Sequence, residues 1–204
     1  MRKDLSKHSQ RLEIVEPSHP LWKEVTYQIR TRYKHAFGAV LCSFMPTFLV
    51  MMKGQRIISI CGFQSAKYKP LFSEQYLSNS ANAILSGIYG ETVDRSKLVE
   101  FGQLSLFTKG TSPLHFYMIA EFLVEQGYEW AIFTATDPLH ALMSKLGLKL
   151  EVIDRADKSQ IPNADKIWGS YYQTSPRIVA GNIREGLEHL HAIFAEKKCC
   201  LGRS

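Results

Sequence analysis

The chain has 204 residues, of which 45% are hydrophobic and 22% are charged. This is long enough for one packed domain and too apolar for a disordered protein. The formal net charge of +6 favours an anionic partner, and the dispersed basic residues with no recognisable motif argue against nucleic acid.

The first half of the chain predicts paired strands with one long helix among them. Apolar residues spaced by three and four predict a helix over Pro20–Phe37, with Ser18 as its N-cap and Gly38 at its end. A short strand is expected before it at Arg11–Val15. Two apolar, β-rich runs around Lys53-Gly54-Gln55 are typical of a hairpin. These runs are Thr47–Met52 and Arg56–Phe63, and short helices follow at Ser73–Leu77 and Ala81–Tyr89.

The second half predicts strands that alternate with helices. Leu98–Phe107 is expected to be a long strand, and Gly102 in its middle indicates a bulge or a close approach by another segment or a ligand. The later elements are a helix at Ser112–Gln126, a strand at Tyr128–Thr136, a helix at Pro138–Leu146, a strand at Leu148–Ile153, a β region at Trp168–Ala180 and a closing helix from Ile183.

This order predicts an α/β (α+β) fold, a mixed central sheet with helices on both faces. Leu98–Phe107 and Trp130–Thr136 are expected to be parallel neighbours that separate near Gly102.

Cysteine usage and hydropathy bear on the location of the protein. Cys42, Cys61, Cys199 and Cys200 lack the spacing of metal ligands, so no metal is expected and a reduced cytoplasm fits best. No apolar stretch approaches the roughly 20 residues that a membrane span needs. We therefore expect a single cytoplasmic domain over residues 1–204, with flexible termini at 1–10 and 197–204 and at most peripheral membrane contact.

Several short motifs along the chain resemble the thermostable hemolysin family. They lie between Arg30 and Ile183, and their order and spacing carry the resemblance. The motifs are RTRYKHAFGA (Arg30–Ala39), LFSEQYL (Leu71–Leu77), LVEFGQLS (Leu98–Ser105), WAIFTAT (Trp130–Thr136), KLGL (Lys145–Leu148), Ala156-Asp157 and WGSYY (Trp168–Tyr172). The resemblance implies a GNAT-like acyltransferase fold.

The layout is also distantly similar to acyl-homoserine-lactone synthases and N-acyl amino acid synthases. That similarity implies transfer of a fatty acyl group from a thioester, on acyl carrier protein or CoA, to the amine of a small acceptor such as an amino acid. Glu100 stands at the glutamate of the synthases' strand motif, whereas Gly102-Gln103 replaces their Ser-Arg, so the arginine role does not carry over. The GNAT pyrophosphate loop is missing from Phe107–His115, which favours a carrier-protein donor over acetyl-CoA.

Glu100 is the first predicted catalytic residue. A carboxylate in an apolar strand is costly to bury without partners, and burial raises its pKa toward the range of a general base. Glu100 is therefore expected to remove a proton from the attacking amine. A structural ion pair with Arg95 or Arg56 is the alternative.

Tyr171, Tyr172 and His140 are the other predicted catalytic residues. A tyrosine would donate a proton to the leaving thiolate, and adjacent tyrosines in a strand point to opposite faces, so at most one is expected at the site. His140 follows the strand that ends at Thr136, where ligands bind in open α/β sheets.

Donor binding is predicted at the separation of the strands and at the loop after it. Gly102 would let a pantetheine arm run along exposed strand amides. Helix N-terminal amides near Lys109 would bind a phosphate, although Ser112 also fits an ordinary N-cap. The predicted donor-binding residues are Gly102, Leu104, Ser105, Lys109, Gly110, Thr111, Ser112, Thr134 and Thr136.

Acceptor binding follows from the resemblance, which implies Arg30, Tyr33, Phe37, Glu74 and Tyr76. No tightly bound cofactor is expected, because the acyl thioester is a co-substrate.

Two other functions remain open. A membrane-active hemolysin would bind lipid through Pro20–Phe37 or Ile183–Lys198. A non-catalytic GNAT-like domain would bind a lipid or a partner without turnover.

Overall fold

The computed structural model describes the backbone of residues 10–108, 110 and 112–201, and the side chains of these residues except 112 and 195–201. Of the termini expected to be flexible, residues 1–9 and 202–204 lie outside the described residues. The strands are β1 (Gln10–Val15), β2 (Thr47–Lys53), β3 (Arg56–Ser65), β4 (Leu98–Leu106), β5 (Trp130–Ala135), β6 (Glu151–Arg155) and β7 (Arg177–Asn182). The helices are α1 (Trp22–Phe37), α2 (Ala81–Tyr89), α3 (Ser112–Glu125), α4 (Asp137–Lys145), α5 (Ala164–Trp168) and α6 (Ile183–Leu201).

The strands form one sheet in the order β1-β2-β3-β4-β5-β7-β6. Only the β4–β5 pair is parallel, and each of the other neighbouring pairs is antiparallel. Helix α3 connects the parallel pair, which needs a long crossover because a tight turn cannot join parallel strands. The predicted mixed sheet is confirmed.

Strands β4 and β5 separate at Gly102, as predicted. Their pairing runs from Leu98 opposite Trp130 to Phe101 opposite Phe133 and then stops. Beyond Phe101, β4 continues along β3 alone, while β5 continues along β7. Gly102 is the first residue of β4 without a partner in β5, so the sheet opens at this position.

A β-bulge lies next to Gly102. Gly62 pairs with Gly102 but Ile60 pairs with Ser105, so β4 has one extra residue there. Gln103, rather than the glycine, has the positive φ of 53°. The bulge reverses the alternation of side chains: Leu104 packs with Phe101, whereas simple alternation along the strand predicts opposite faces.

Two helical layers cover the sheet. Helices α1, α2 and α5 pack on one face, which we name the α1 face, and α3, α4 and α6 pack on the other, the α3 face. Buried residues of β4 and β5 contribute to both layers, because successive side chains point to opposite faces. No described helix is long and apolar enough to cross a membrane.

The predicted β region at Trp168–Ala180 is wrong from Trp168 to Pro176. Trp168 ends α5, Tyr171–Thr174 is a 3₁₀ helix, and β7 begins only at Arg177. Gly169 turns the chain at φ +55°, and a Cβ there would lie 2.1 Å from the Phe37 carbonyl oxygen. The turn is set by this contact with the end of α1, which local sequence does not reveal. Ser18 is also not the N-cap of α1, since Leu21 holds that position.

Candidate functional site

A cavity of about 570 Å³ reaches both faces of the sheet where β4 and β5 separate. Phe101, Gly102 and Phe133 border it at the opening. Its volume lies in the range of about 300–1,000 Å³ that is typical of small-molecule sites. The lining on the α1 face includes Tyr33, Phe37, Phe72, Tyr76, Trp168 and Tyr171, and the lining on the α3 face includes Phe116, Ile119, Leu142, Met143 and Leu190.

The α1-face part of the cavity is walled by packed aromatic rings. Phe37 contacts Tyr171 at 5.2 Å between ring centroids, Tyr171 contacts Trp168 at 5.3 Å, and Trp168 contacts Phe72 at 5.8 Å. Tyr33 joins the same group at 5.7 Å from Phe37. The Phe37–Tyr171 pair is edge-to-face and the other three pairs are tilted, and ring contacts of this kind stabilise the wall of the cavity.

Glu100 is the only buried carboxylate among the described residues, with 2% of its surface exposed, and it lines this cavity. Its Oε1 accepts a hydrogen bond from the Ser73 amide at 2.6 Å. Its Oε2 accepts bonds from the Phe72 amide at 2.7 Å and from Gln64 Nε2 at 3.2 Å. Burial raises the pKa of Glu100, and the bonds from Ser73 and Phe72 oppose that shift.

Glu100 does not form the alternative ion pair with Arg95. That arginine instead forms a bidentate pair with Glu74, at 2.5 and 2.8 Å. Glu74 also accepts bonds from the Leu71 and Ala81 amides. It lies outside the lining of the cavity, so the structure does not bring this predicted acceptor-binding residue to the site. Glu100 is therefore held by neutral donors, and these three bonds occupy three of the about four lone-pair positions of a carboxylate.

The two predicted tyrosines lie in a 3₁₀ helix, so the strand argument about their opposite faces does not apply. Tyr171 is buried and lines the cavity. Burial raises the pKa of its hydroxyl, which keeps the proton on the oxygen. The Tyr172 hydroxyl bonds to the Tyr76 hydroxyl at 2.6 Å, and Tyr76 lines the cavity. Both tyrosines thus connect to the site, one directly and one through Tyr76.

Some predicted residues are not brought to the cavity. His140 lies on α4 and is not part of the lining. Arg30 stacks on the Phe44 ring at 4.9 Å and bonds to the Leu41 carbonyl, while Arg32, two residues later, is exposed and lines the cavity. On a helix, this difference depends on which face meets the sheet.

The predicted donor-binding residues divide into three groups. Gly102, Leu104, Thr134 and Thr136 line the cavity. Ser105 is buried beside it, at 1% exposure, and is not part of the lining. Lys109, Thr111 and the side chain of Ser112 lie outside the described residues, so phosphate binding at that loop, which includes Gly110, stays a prediction.

No pattern in the sequence indicates two contacts that shape the site. Gln103 Nε2 donates to the Ser43 carbonyl at 2.9 Å, and its Oε1 accepts from the Met45 amide at 3.0 Å. A Cβ on Gly102 would lie 2.4 Å from Met45 Cε. The segment before β2 therefore lies directly against β4 at the opening. Among the described residues, no group of three or more His, Cys, Asp or Glu is placed to hold a metal ion.

Comparisons with known proteins agree with this fold. A family model described as thermostable hemolysin matches residues 15–187. No curated protein matches the chain.

Several solved structures share the fold at low sequence identity. The N-acyl amino acid synthase FeeM, from uncultured soil microbes, has a TM-score of 0.59 at 14% identity and covers 87% of this chain and 92% of its own. The CoA-dependent acyl-homoserine lactone synthase BjaI, with SAM and isopentyl-CoA, has a TM-score of 0.58 at 14% identity and covers 92% and 90%. A Lactobacillus plantarum protein assigned as an N-acetyltransferase has a TM-score of 0.52 at 9% identity and covers 86% and 99%. The GNAT-like fold is confirmed.

Proposed function

This chain belongs to the thermostable hemolysin family, and a largely apolar cavity crosses its sheet where β4 and β5 separate. From these two observations we propose that it is an acyltransferase. It would move a fatty acyl group from a thioester to the amine of a small acceptor. The observation that carries this proposal is the position of Glu100, the one buried carboxylate in the described part of the chain, in the wall of a cavity made largely of apolar and aromatic side chains.

The cavity suits a fatty acyl chain because its lining on the α3 face is apolar. Phe116, Ile119, Met143 and Leu190 come from three helices there, and a hydrocarbon chain among them would be removed from water. Burial of apolar surface contributes about 0.8 kcal/mol per methylene group, so a long chain would gain substantial binding energy. A small polar acceptor would gain far less in this part of the cavity.

The chemistry would take place on the α1-face side of the opening, where the polar groups lie. The amine nitrogen attacks the thioester carbonyl carbon, a C–N bond forms and the C–S bond breaks. Glu100 takes the proton that the amine loses, and its raised pKa improves it as a base. The leaving thiolate takes a proton from the Tyr171 hydroxyl, which burial keeps protonated until then. Glu100 afterwards releases the proton that it gained and Tyr171 regains one, so the reaction leaves the net number of protons on the protein unchanged.

The donor would be an acyl carrier protein or acyl-CoA. The GNAT-like neighbours include a CoA-dependent synthase whose structure holds isopentyl-CoA, and the exposed Arg32 at the cavity is positioned to attract an anionic donor. Lys109 is proposed to hold a phosphate of the donor. Both donor types are made in the cytoplasm, where we place the protein.

One experiment tests the proposed function directly. Lipid extracts of cells that make the protein are compared by mass spectrometry with extracts of cells that make Glu100→Ala or Glu74→Ala. New acylated amines are expected with the parent protein and, for an equal amount of folded protein, with Glu74→Ala, but not with Glu100→Ala. If no sample contains a new acylated amine, the proposal is wrong.

Direct membrane lysis through α1 is less compatible with the fold. The apolar side chains Val25, Ile29 and Tyr33 of this helix are buried against the sheet. A helix binds a membrane surface through an exposed apolar face, whereas the apolar face of α1 is buried in the core.

A further inference from the structure

The Met45 side chain packs against two glycines. Gly62 of β3 and Gly102 of β4 are register partners. An added Cβ would lie 2.6 Å from Met45 Cβ at Gly62 and 2.4 Å from Met45 Cε at Gly102. Carbon atoms do not approach that closely, so the Met45 side chain occupies the space that side chains at these two positions would fill.

The backbone around Met45 is held in place by Gln103. The side-chain amide of Gln103 bonds to the Ser43 carbonyl and to the Met45 amide, in the manner of a neighbouring strand. Gln103 makes these bonds from the bulge, at a φ of 53° that a glutamine seldom adopts. Met45 is therefore anchored to β4 by its backbone, while its side chain packs against the two glycines and the core beneath α1.

This position coincides with the point where the cavity crosses the sheet. Met45 lines the cavity, and Gly102 beneath it is the first residue of β4 that no longer pairs with β5. Phe101, Leu104 and Phe133 also line the cavity near this point, and so do the polar residues Ser43 and Gln103. The Gln103 side-chain amide bonds to the Ser43 carbonyl and the Met45 amide, so these polar groups are already paired within the protein. The side chains left to contact a ligand here are apolar, so the part of the ligand that fits between them is a hydrocarbon chain.

We propose that Met45 selects the acyl chain by setting the width of the cavity where it crosses the sheet. This inference rests on the proposed acyl transfer and adds the residue that limits chain length. Methionine is unbranched and flexible, so a substitution that shifts its terminal methyl group changes the width of the passage at little cost to the fold.

Two substitutions should act in opposite directions. Met45→Ala removes Cγ, Sδ and Cε, and in a close-packed interior this leaves room for about two to three more methylene groups. Gly102→Ala adds a methyl group against Met45 Cε and pushes it into the passage, so shorter chains should be favoured. Combining both changes should cancel the effect of Gly102→Ala, because the atom that it displaces is gone.

The test is a competition among saturated acyl-CoA thioesters, from butanoyl to palmitoyl, with one amine acceptor in excess. Products are measured together by mass spectrometry, so the chain-length profile does not depend on how much protein is folded. Met52→Ala is the matched control, since Met52 is buried in β2 and does not line the cavity.

Met45→Ala is expected to raise product from chains two carbons longer than the parent optimum by about tenfold relative to that optimum, from the free energy of burying two methylene groups. Met52→Ala should keep the parent profile. The inference is wrong if Met45→Ala keeps that profile, or if Met52→Ala changes it equally.

A second measurement separates this inference from the proposed function. If the parent protein transfers no acyl group from any donor, acyl transfer is wrong, and Met45 is then tested through equilibrium binding of fluorescent fatty acids. Tighter binding of longer chains by Met45→Ala would support its role in the passage, and equal affinities would overturn it.

Discussion

Replacing Glu100 by glutamine should weaken the fold as well as the proposed chemistry. Each carboxylate oxygen accepts a hydrogen bond from a different backbone amide: Oε1 from that of Ser73 and Oε2 from that of Phe72. Glutamine offers one oxygen and one NH₂ group, so in either orientation one of these amides faces another donor. The substitution is isosteric, but it reverses one hydrogen bond.

The size of this effect follows from the loss of one buried bond to a charged group. A buried donor without a partner costs about 1–3 kcal/mol, and bonds to charged groups lie at the upper end, so Glu100→Gln should lose about 2–3 kcal/mol of stability. Each kcal/mol lowers Tm by about 2–4 °C in a chain of this size, which predicts a decrease of roughly 5–10 °C. If Glu100 is also the base, turnover should fall by about 10²–10⁴-fold.

The assay measures both quantities on one preparation. Thermal unfolding gives Tm, and thioester turnover is divided by the folded fraction at the assay temperature. Glu74→Gln is the matched control, because Glu74 also binds two backbone amides, those of Leu71 and Ala81, but lies outside the cavity. It should lower Tm while turnover per folded molecule stays near that of the parent.

Two results would refute this reasoning in different ways. An unchanged Tm for Glu100→Gln would mean that the amide bonds do not stabilise the fold as argued. A lowered Tm with full turnover per folded molecule would make Glu100 a structural anchor and not the base.

Three further predictions concern acid stability, donor binding and lysis. His115 is fully buried between Ser59 and the Leu49 carbonyl, and burial lowers its pKa to about 4 from 6.5. The unfolded chain therefore binds the extra proton first, so stability should fall by about 3 kcal/mol as pH decreases from about 6.5 to 4. The free energy of unfolding is measured by denaturant for the parent and for His115→Asn at each pH. Buried Glu100 contributes an opposing pH dependence to both proteins, so the difference between them should show the loss that is due to His115. Arg32→Glu should raise the donor KM, and the increase should shrink with added salt, whereas Arg56→Glu, in an exposed hairpin, should leave KM unchanged. Purified protein should lyse red cells only when thioester and amine are both supplied, and lysis without them would favour a direct hemolysin.

Local patterns in the sequence were sufficient for the order of the strands and of the helices other than α5, which no pattern predicted. The bounds of α2 and the end of α1 at Gly38 were predicted correctly, because helix periodicity and a left-handed glycine are local signals. The separation of β4 and β5 at Gly102 was also predicted, since a glycine in a long strand marks a place where regular pairing fails.

The partners of the site residues required the tertiary structure. Glu100 could be recognised as an unusual buried carboxylate, but its bonds to amides 27 and 28 residues away depend on how the 3₁₀ helix at Phe72–Tyr76 packs on the sheet. Arg95, one of the two arginines that the alternative interpretation paired with Glu100, pairs with Glu74 instead. Periodicity shows which residues are buried, and it carries no information about which of them meet.

The WGSYY motif and Met45 both show that local sequence patterns do not reveal contacts between distant residues. The apolar and aromatic residues of Trp168–Tyr172 resemble a strand, yet the contact of Gly169 with the end of α1 makes the chain turn there. Met45 lies in a segment without regular structure, and its place against Gly62 and Gly102 follows only from the pairing of β3 with β4. Sequence determined the elements because backbone propensity and burial are local. Tertiary structure determined the cavity, since its walls are formed by residues that are distant in the chain and come together only by packing.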